Sequence, residues 1–263
     1  VFFIVSFIKV NLYFVFFMAK IRIKTTINYS PNFTTYKRNK KNIKYLIFHY
    51  TGMRSENQAI NRLTNENSKV SCHYFIKRNG SIILMVPEIY EAWHAGKSSW
   101  KKDKSLNKKS IGVEISNKGH QFGYQVFSKK QIQSLIRLSK FLIKKYTIRK
   151  TKILGHSDVA PNRKKDPGEK FPWENLSKYK IGIWHDINKD ILKKLRNKKV
   201  SKIEYKKFFK YLSKIGYYLK EKKYTNQKML IENFQRHFRQ RLIDGKVDQE
   251  CLFIAEKISK LAK

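Results

Sequence analysis

Residues 43–50 read IKYLIFHY. The run is apolar without alternation, the pattern of a strand covered on both faces, as in a parallel sheet. His49 stands near its C-terminal end. Working outward, residues 56–66 place Ala59, Ile60 and Leu63 at helical spacing. YFIKR and SIILMV, within 74–86, flank Asn79-Gly80, a strong hairpin signal. IGVEIS at 111–116 alternates, with Ile111, Val113 and Ile115 on one face and Gly112, Glu114 and Ser116 on the other. Ser128 followed by Gln131 is a capping box. It predicts a helix to about Tyr146 that buries Ile132, Leu135, Ile136, Ser139, Leu142 and Ile143. KILGH at 152–156 predicts a short strand, and a loop bearing Pro and Gly follows to about Trp173. Strands separated by helical stretches predict an α/β fold, a mixed, mainly parallel central sheet flanked by helices.

The pattern changes after Asp186. Residues 187–199 are lysine-rich and read as a linker or a short helix. From Lys202 the spacing predicts helices over 203–221, 226–241 and 248–262, a small three-helix module. The expected organisation is an N-terminal segment over 1–27, an α/β domain over 28–185, a linker over 186–201 and the helical module over 202–263.

Composition narrows the class. The chain is 263 residues long, 41% hydrophobic and 14% aromatic, which suffices for a core and argues against disorder. Two cysteines, Cys72 and Cys251, can build neither a disulfide framework nor a thiolate zinc site of four ligands. Five prolines and eleven glycines exclude collagen-like and proline-rich classes. The formal charge of +39 has two readings. One is an electrostatic footprint for an acidic polymer. The other is compositional drift, because lysines outnumber arginines 46 to 12 and spread along the whole chain. Lysine dominance argues against bidentate phosphate recognition. No zinc-finger, homeodomain or RNA-binding pattern supports a nucleic-acid partner.

Residues 1–18 hold fifteen apolar residues and only Ser6, Lys9 and Asn11 as polar ones. The stretch is at the short edge for a membrane span, and Lys9 near its middle disfavours insertion. The bases Lys20, Arg22 and Lys24 follow the apolar run rather than precede it, unlike a cleavable signal. Two expectations compete: a weak signal anchor, placing the protein at the membrane, periplasm or cell envelope, or a translation start at Met18, placing it in the cytoplasm. Membrane association is expected only through residues 1–18.

Three segments carry chemistry. They are His49 in FHYTG, Glu114 in IGVEIS, and the loop GHSDVAPNRKKDPG at 155–168 with His156, Lys164 and Asp166. Two histidines and a carboxylate are the ligand set of a catalytic zinc site that leaves one position open for water. A Pro-braced loop can fold Asp166 back towards His156. Glu114 is a carboxylate in a run otherwise fit for the interior, so it needs a partner or a task. Taken singly each signal is modest. A histidine ending a strand is more often structural, and Lys164 between Arg163 and Lys165 reads by default as a solvated charge.

Their order and surroundings are more specific. SPNF, FHYTG, SCHYFI, AWHAG at 92–96, SIGVEISN at 110–117 and GHSDVAPNRKKDPGEKFPW at 155–173 lie between about Ser30 and Trp184. Together they resemble the zinc-dependent N-acetylmuramoyl-L-alanine amidases of the type-2 family, relatives of the peptidoglycan recognition proteins. The branch that cleaves anhydromuropeptides, which uses Asp as third ligand, fits best. NFQRHFRQRLIDGKVDQ at 233–249 more loosely resembles a peptidoglycan-binding helical module. The resemblance implies one zinc ion per chain held by His49, His156 and Asp166, with Glu114 and Lys164 as catalytic residues. It implies hydrolysis of the amide between the lactyl group of N-acetylmuramic acid and L-Ala, in peptidoglycan or muropeptides. The alternative is a non-catalytic peptidoglycan-recognition protein, although such relatives usually lack the zinc ligands. Trp93, His94, Tyr50, Asn162 and Arg163 are expected to face substrate or support the ligands. His73 is expected to be structural and Cys72 a packing residue. His120, His185 and His237 have no motif support as ligands. The C-terminal helices have two readings: a second site for glycan, or a cover for apolar surface of the amidase domain.

Overall fold

The computed structural model describes residues 23–219 and 227–262. The apolar stretch 1–18, and with it the choice between anchor and start site, lies outside the described residues. Among those described, no helix is long and apolar enough to cross a membrane.

The main sheet has six strands: β1 (Thr26–Ile27), β2 (Tyr45–Tyr50), β3 (Tyr74–Ile76), β4 (Ile82–Leu84), β5 (Ser110–Ile115) and β6 (Ile153–Gly155). Across the sheet they run β1-β4-β3-β5-β2-β6. Every neighbouring pair is parallel except the β3–β4 hairpin. Its turn is longer than Asn79-Gly80 alone: Lys77 N–H bonds the Ser81 carbonyl, and Gly80 takes φ +86°. This mixed, mainly parallel sheet flanked by helices is the architecture expected from the sequence.

The IKYLIFHY run forms β2, buried from Tyr45 to His49. Side chains alternate along a strand, so β2 serves two layers. Leu46 and Phe48 meet Leu135, Leu138 and Leu142 of α2 (Lys129–Tyr146). Tyr45 and Ile47 face the other way, into a cluster with Phe208, Leu212 and Ile254. Both faces are covered, which is why no charged residue stands between Tyr45 and His49. α2 starts at the expected box: Ser128 Oγ accepts from Gln131 N–H and Gln131 Oε1 accepts from Ser128 N–H. α1 (Glu56–Thr64) buries Ala59 and Leu63 against Phe75, Ile83 and Met85. Cys72 packs in the same cluster, as expected.

Further along lie α3 (His156–Val159), α4 (Trp173–Lys178), α5 (Lys189–Leu195), α6 (Lys202–Ile215), α7 (Gln227–Phe238) and α8 (Gln249–Leu261). The lysine-rich stretch thus contains a helix, α5. α6 ends six residues before the expected 221. Gly216 stops it at φ +143°, and a Cβ there would sit 2.3 Å from the Trp100 indole. α7 ends at Phe238 rather than 241, where Arg239 turns its guanidinium onto Asp244 and Asp248. α6, α7 and α8 lie on the Tyr45/Ile47 face of the sheet and share one apolar cluster with it.

Candidate active site

β2 and β5 run side by side with His49 opposite Glu114. β6, on the other side of β2, ends at Gly155, and His156 opens α3 directly after it. The loop then returns, because Ser157 N–H bonds the Asp166 carbonyl at 2.8 Å. Three side chains distant in sequence thus meet at the C-terminal ends of parallel strands, where open α/β sheets leave a crevice. His49 Nδ1 and His156 Nδ1 are 3.0 Å apart, and each lies 3.1 Å from Asp166 Oδ2. All three residues are buried.

Hydrogen bonding behind the rings decides which nitrogens carry protons. Ser110 Oγ donates to the Leu106 carbonyl at 2.6 Å, so its hydrogen is spent. It must therefore accept from His94 Nε2–H at 3.1 Å. His94 Nδ1 is left with a lone pair and accepts from His49 Nε2–H at 3.0 Å. That leaves His49 Nδ1 as a lone pair facing the cluster. His156 Nε2–H donates to the Ala95 carbonyl at 3.2 Å, which fixes its Nδ1 the same way. Burial and the neighbouring His156 lower the His49 pKa to about 4, so the ring is neutral at pH 7. Burial, then the adjacent His49, push His94 well down as well. Three acceptor atoms thus face one another with no proton to share. They repel unless a cation lies among them, and neutral imidazole plus carboxylate is a donor set for a divalent metal. The triad can hold a metal ion.

Glu114 stands beside it, Oε1 4.0 Å from His49 Nδ1, and its Oε2 is buried without a partner. Burial, then the charge of Asp166, push the Glu114 pKa well above the usual carboxylate range, against the pull of Lys164. Burial pushes Asp166 up too, but the adjacent His156 ring, then His49, hold it well below that range. Both residues open onto a cleft of about 570 Å³, also lined by Lys164, Trp93 and Tyr50. α1 contributes Ala59, Arg62 and Leu63 to its wall.

The other expected residues divide. Trp93 borders the cleft with its indole N–H tied to Thr34 Oγ1 at 3.0 Å. Tyr50 reaches His120 Nδ1 at 2.9 Å, and His120 Nε2 pairs with Glu169 at 3.0 Å. His94 borders the cleft, but both its nitrogens are engaged with His49 and Ser110. Arg163 turns its guanidinium onto the carbonyls of Ala95 and Lys97. Asn162 is exposed and lies outside the cleft lining. His73 is fully buried, with Nδ1 at the Gly112 N–H and Nε2 within 2.7 Å of Arg38 Nη2 and 3.1 Å of the Tyr90 carbonyl, a structural role as expected. His185 and His237 lie elsewhere, on the Phe238 carbonyl and on Asp158. Arg62, Met53, Gln121 and His120 border the cleft without having been singled out. For Arg62 and Met53 a signal existed, since the helix after FHYTG must start beside His49. For Gln121 and His120 no motif marked the loop.

Gly112 shows how tight the packing is. A Cβ there would lie 2.3 Å from His94 Cγ. Gly112→Ala is therefore expected to displace His94 and cost about 1–3 kcal/mol by overpacking. Denaturant titration measures the cost. Affinity for a metal ion at the triad should also fall, because His49 loses the partner that orients it.

Residues 39–169 match the family model described as N-acetylmuramoyl-L-alanine amidase. The chain is 35% identical over 229 residues to the N-acetylmuramoyl-L-alanine amidase AmiD of Escherichia coli, covering 82% of each chain. It is 39% identical over 107 residues to the 1,6-anhydro-N-acetylmuramyl-L-alanine amidase AmpD of Haemophilus influenzae, which is 40% of this chain and 56% of that one. The structure of E. coli AmiD in complex with anhydro-N-acetylmuramic acid-L-Ala-D-gamma-Glu-L-Lys superposes with a TM-score of 0.74 at 33% identity, over 87% of this chain and 92% of that one. AmpDh3 of Pseudomonas aeruginosa gives 0.73 at 28% identity, over 90% and 99%. Likeness to AmiD at this level extends past the cleft to most of the chain, and the chain belongs to the N-acetylmuramoyl-L-alanine amidases.

Proposed function

We propose that one zinc ion sits between His49, His156 and Asp166, and that the chain hydrolyses the lactyl–L-Ala amide of muropeptides. The carrying observation is the convergence of three acceptor atoms within 3.1 Å, beside a buried carboxylate. His49, His156 and Asp166 would hold the ion through two imidazole nitrogens and one carboxylate oxygen. Zinc bound there would lower the pKa of a water from about 15.7 to near 7, supplying hydroxide at neutral pH. Glu114, with its raised pKa, takes the proton from the attacking water and delivers it to the leaving nitrogen. One water is consumed, the C–N bond breaks, and a carboxylate and an amine form. Lys164, on the same cleft, stabilises the oxyanion that develops on the attacked carbonyl. Trp93 and Tyr50 border the path of the sugar and peptide.

Non-catalytic recognition is the competing reading, and the presence of all five residues disfavours it. Zinc-loaded protein should release stem peptides beginning with L-Ala from soluble anhydro-muropeptides, from intact sacculi, or from both, as read by mass spectrometry of the digests. Release from neither substrate, at one zinc per chain, would overturn the reading. Lys164→Ala should lower kcat about 10²–10³-fold, the loss seen when one oxyanion donor is removed, with zinc stoichiometry unchanged.

A further inference from the structure

The loop that carries His156, Lys164 and Asp166 has few bonds of its own. From Pro161 to Lys165 the backbone N–H groups make turn contacts, Arg163 and Lys164 N–H to the Ala160 carbonyl, and the Arg163 guanidinium ties one side to the Ala95 and Lys97 carbonyls. Its other side rests on α7. Asn233, fully buried, donates from Nδ2 to the Pro161 carbonyl at 2.7 Å and to the Lys164 carbonyl at 2.9 Å. Its Oδ1 accepts from Arg236 Nη1 at 2.9 Å. The amide cannot be flipped, since that would set oxygen against two carbonyls and nitrogen against a guanidinium. One turn on, His237 Nδ1 meets Asp158 Oδ2 at 2.7 Å. Arg236 Nε lies 3.7 Å from Glu169, and Gln240 Nε2 bonds the Phe171 carbonyl at 2.7 Å. Positions 233, 236 and 237 share one face of α7, and Gln240 follows just past its end. These polar residues of NFQRHFRQ therefore grip the active-site loop from Asp158 to Phe171.

We propose that Asn233 is a positioning residue for the amidase reaction, fixing the backbone of Lys164 and through it the ammonium in the cleft. This rests on the reading of Lys164 as the oxyanion-stabilising cation. Asn233 touches no substrate. A shift of about 1 Å in a catalytic group can cost on the order of 10²-fold. Removing the clamp also leaves two carbonyls unpaired.

A double-mutant cycle tests this in the full-length zinc enzyme, with a soluble anhydro-muropeptide as substrate. Asn233→Ala should lower kcat about 10–100-fold, with KM within about threefold and one zinc retained. In a Lys164→Ala background the same change should cost less than about twofold, because the group it positions is gone. An equal loss in both backgrounds, or none in the parent, overturns the proposal. If the Ala variant fails to fold, Asn233→Ser supplies a hydroxyl for one carbonyl and should show a smaller loss with the same coupling. Gln235→Ala is the control, since among the described residues the Gln235 side chain bonds only within the helical tail, to Asp244, Gly245, Lys246 and Cys251. It should lower Tm and leave kcat within about twofold. A kcat loss there equal to that of Asn233→Ala shows that loosening α7 anywhere suffices, and overturns the assignment. A Lys164→Ala enzyme with parental turnover sinks the reading of Lys164 itself, whereas a Lys164 loss with an additive Asn233 loss sinks only the clamp.

Discussion

Glu114→Gln should lower kcat by about 10²–10⁴-fold and at the same time make the metal-free protein more stable at pH 7. The first effect is the usual worth of a positioned proton carrier. Gln keeps the shape and cannot take a proton from water. The second follows from the environment. Glu114 Oε2 is buried with no partner, and burial raises its pKa well above the ordinary carboxylate value. Between the unfolded pKa, about 4.3, and the higher folded one, the native state binds the proton and the unfolded chain does not. Stability therefore falls as pH rises through that window and stays low at neutral pH. Gln carries no such penalty, so the variant should gain on the order of 1 kcal/mol at pH 7, as when a functional site is relieved of strain. The gap should close as pH falls towards 4. Urea titrations at the two pH values measure it. A variant retaining a tenth of parental turnover would remove Glu114 from the proton path, and a gap that widens in acid would contradict the burial account.

Asp166→Ala should abolish stoichiometric zinc. Asp166 Oδ2 is equidistant from the two ring nitrogens and supplies the only negative charge of the triad. Losing a ligand should cost more than loss of a supporting residue, whose removal typically costs 10–100-fold in affinity. Zinc affinity should thus fall by more than about 100-fold in competition with a chromogenic chelator. Turnover at trace zinc should fall in parallel. The parent enzyme stripped by chelator should lose activity and regain it on adding zinc. If Asp166→Ala binds zinc as tightly as the parent, the metal lies elsewhere.

Much of the fold was legible because its rules are local. YLIF at 45–48 is apolar at both parities, as a strand buried on both faces requires. The Ser128/Gln131 box marked the start of α2 to the residue. The metal triad was legible because the loop after KILGH carries its own return, with Asp166 brought back onto Ser157. What escaped depends on contacts between distant segments. His94 and Arg163 line the cleft, yet their polar atoms turn to Ser110, His49 and the 95–97 carbonyls. No motif shows that Gly112 leaves the space His94 fills. The end of α6 was missed for the same reason: Gly216 stops the helix against Trp100, which lies more than a hundred residues earlier.

The shared apolar layer between the sheet and helices α6, α7 and α8 bears on how such a chain can change over time. Tyr45 and Ile47 stand on the strand that carries His49, and Phe208, Leu212 and Ile254 answer them from the C-terminal helices. A recombination that exchanged the tail alone would leave those strand residues facing strangers. The strand and the tail have to fit each other, two stretches remote in the sequence and joined only in space.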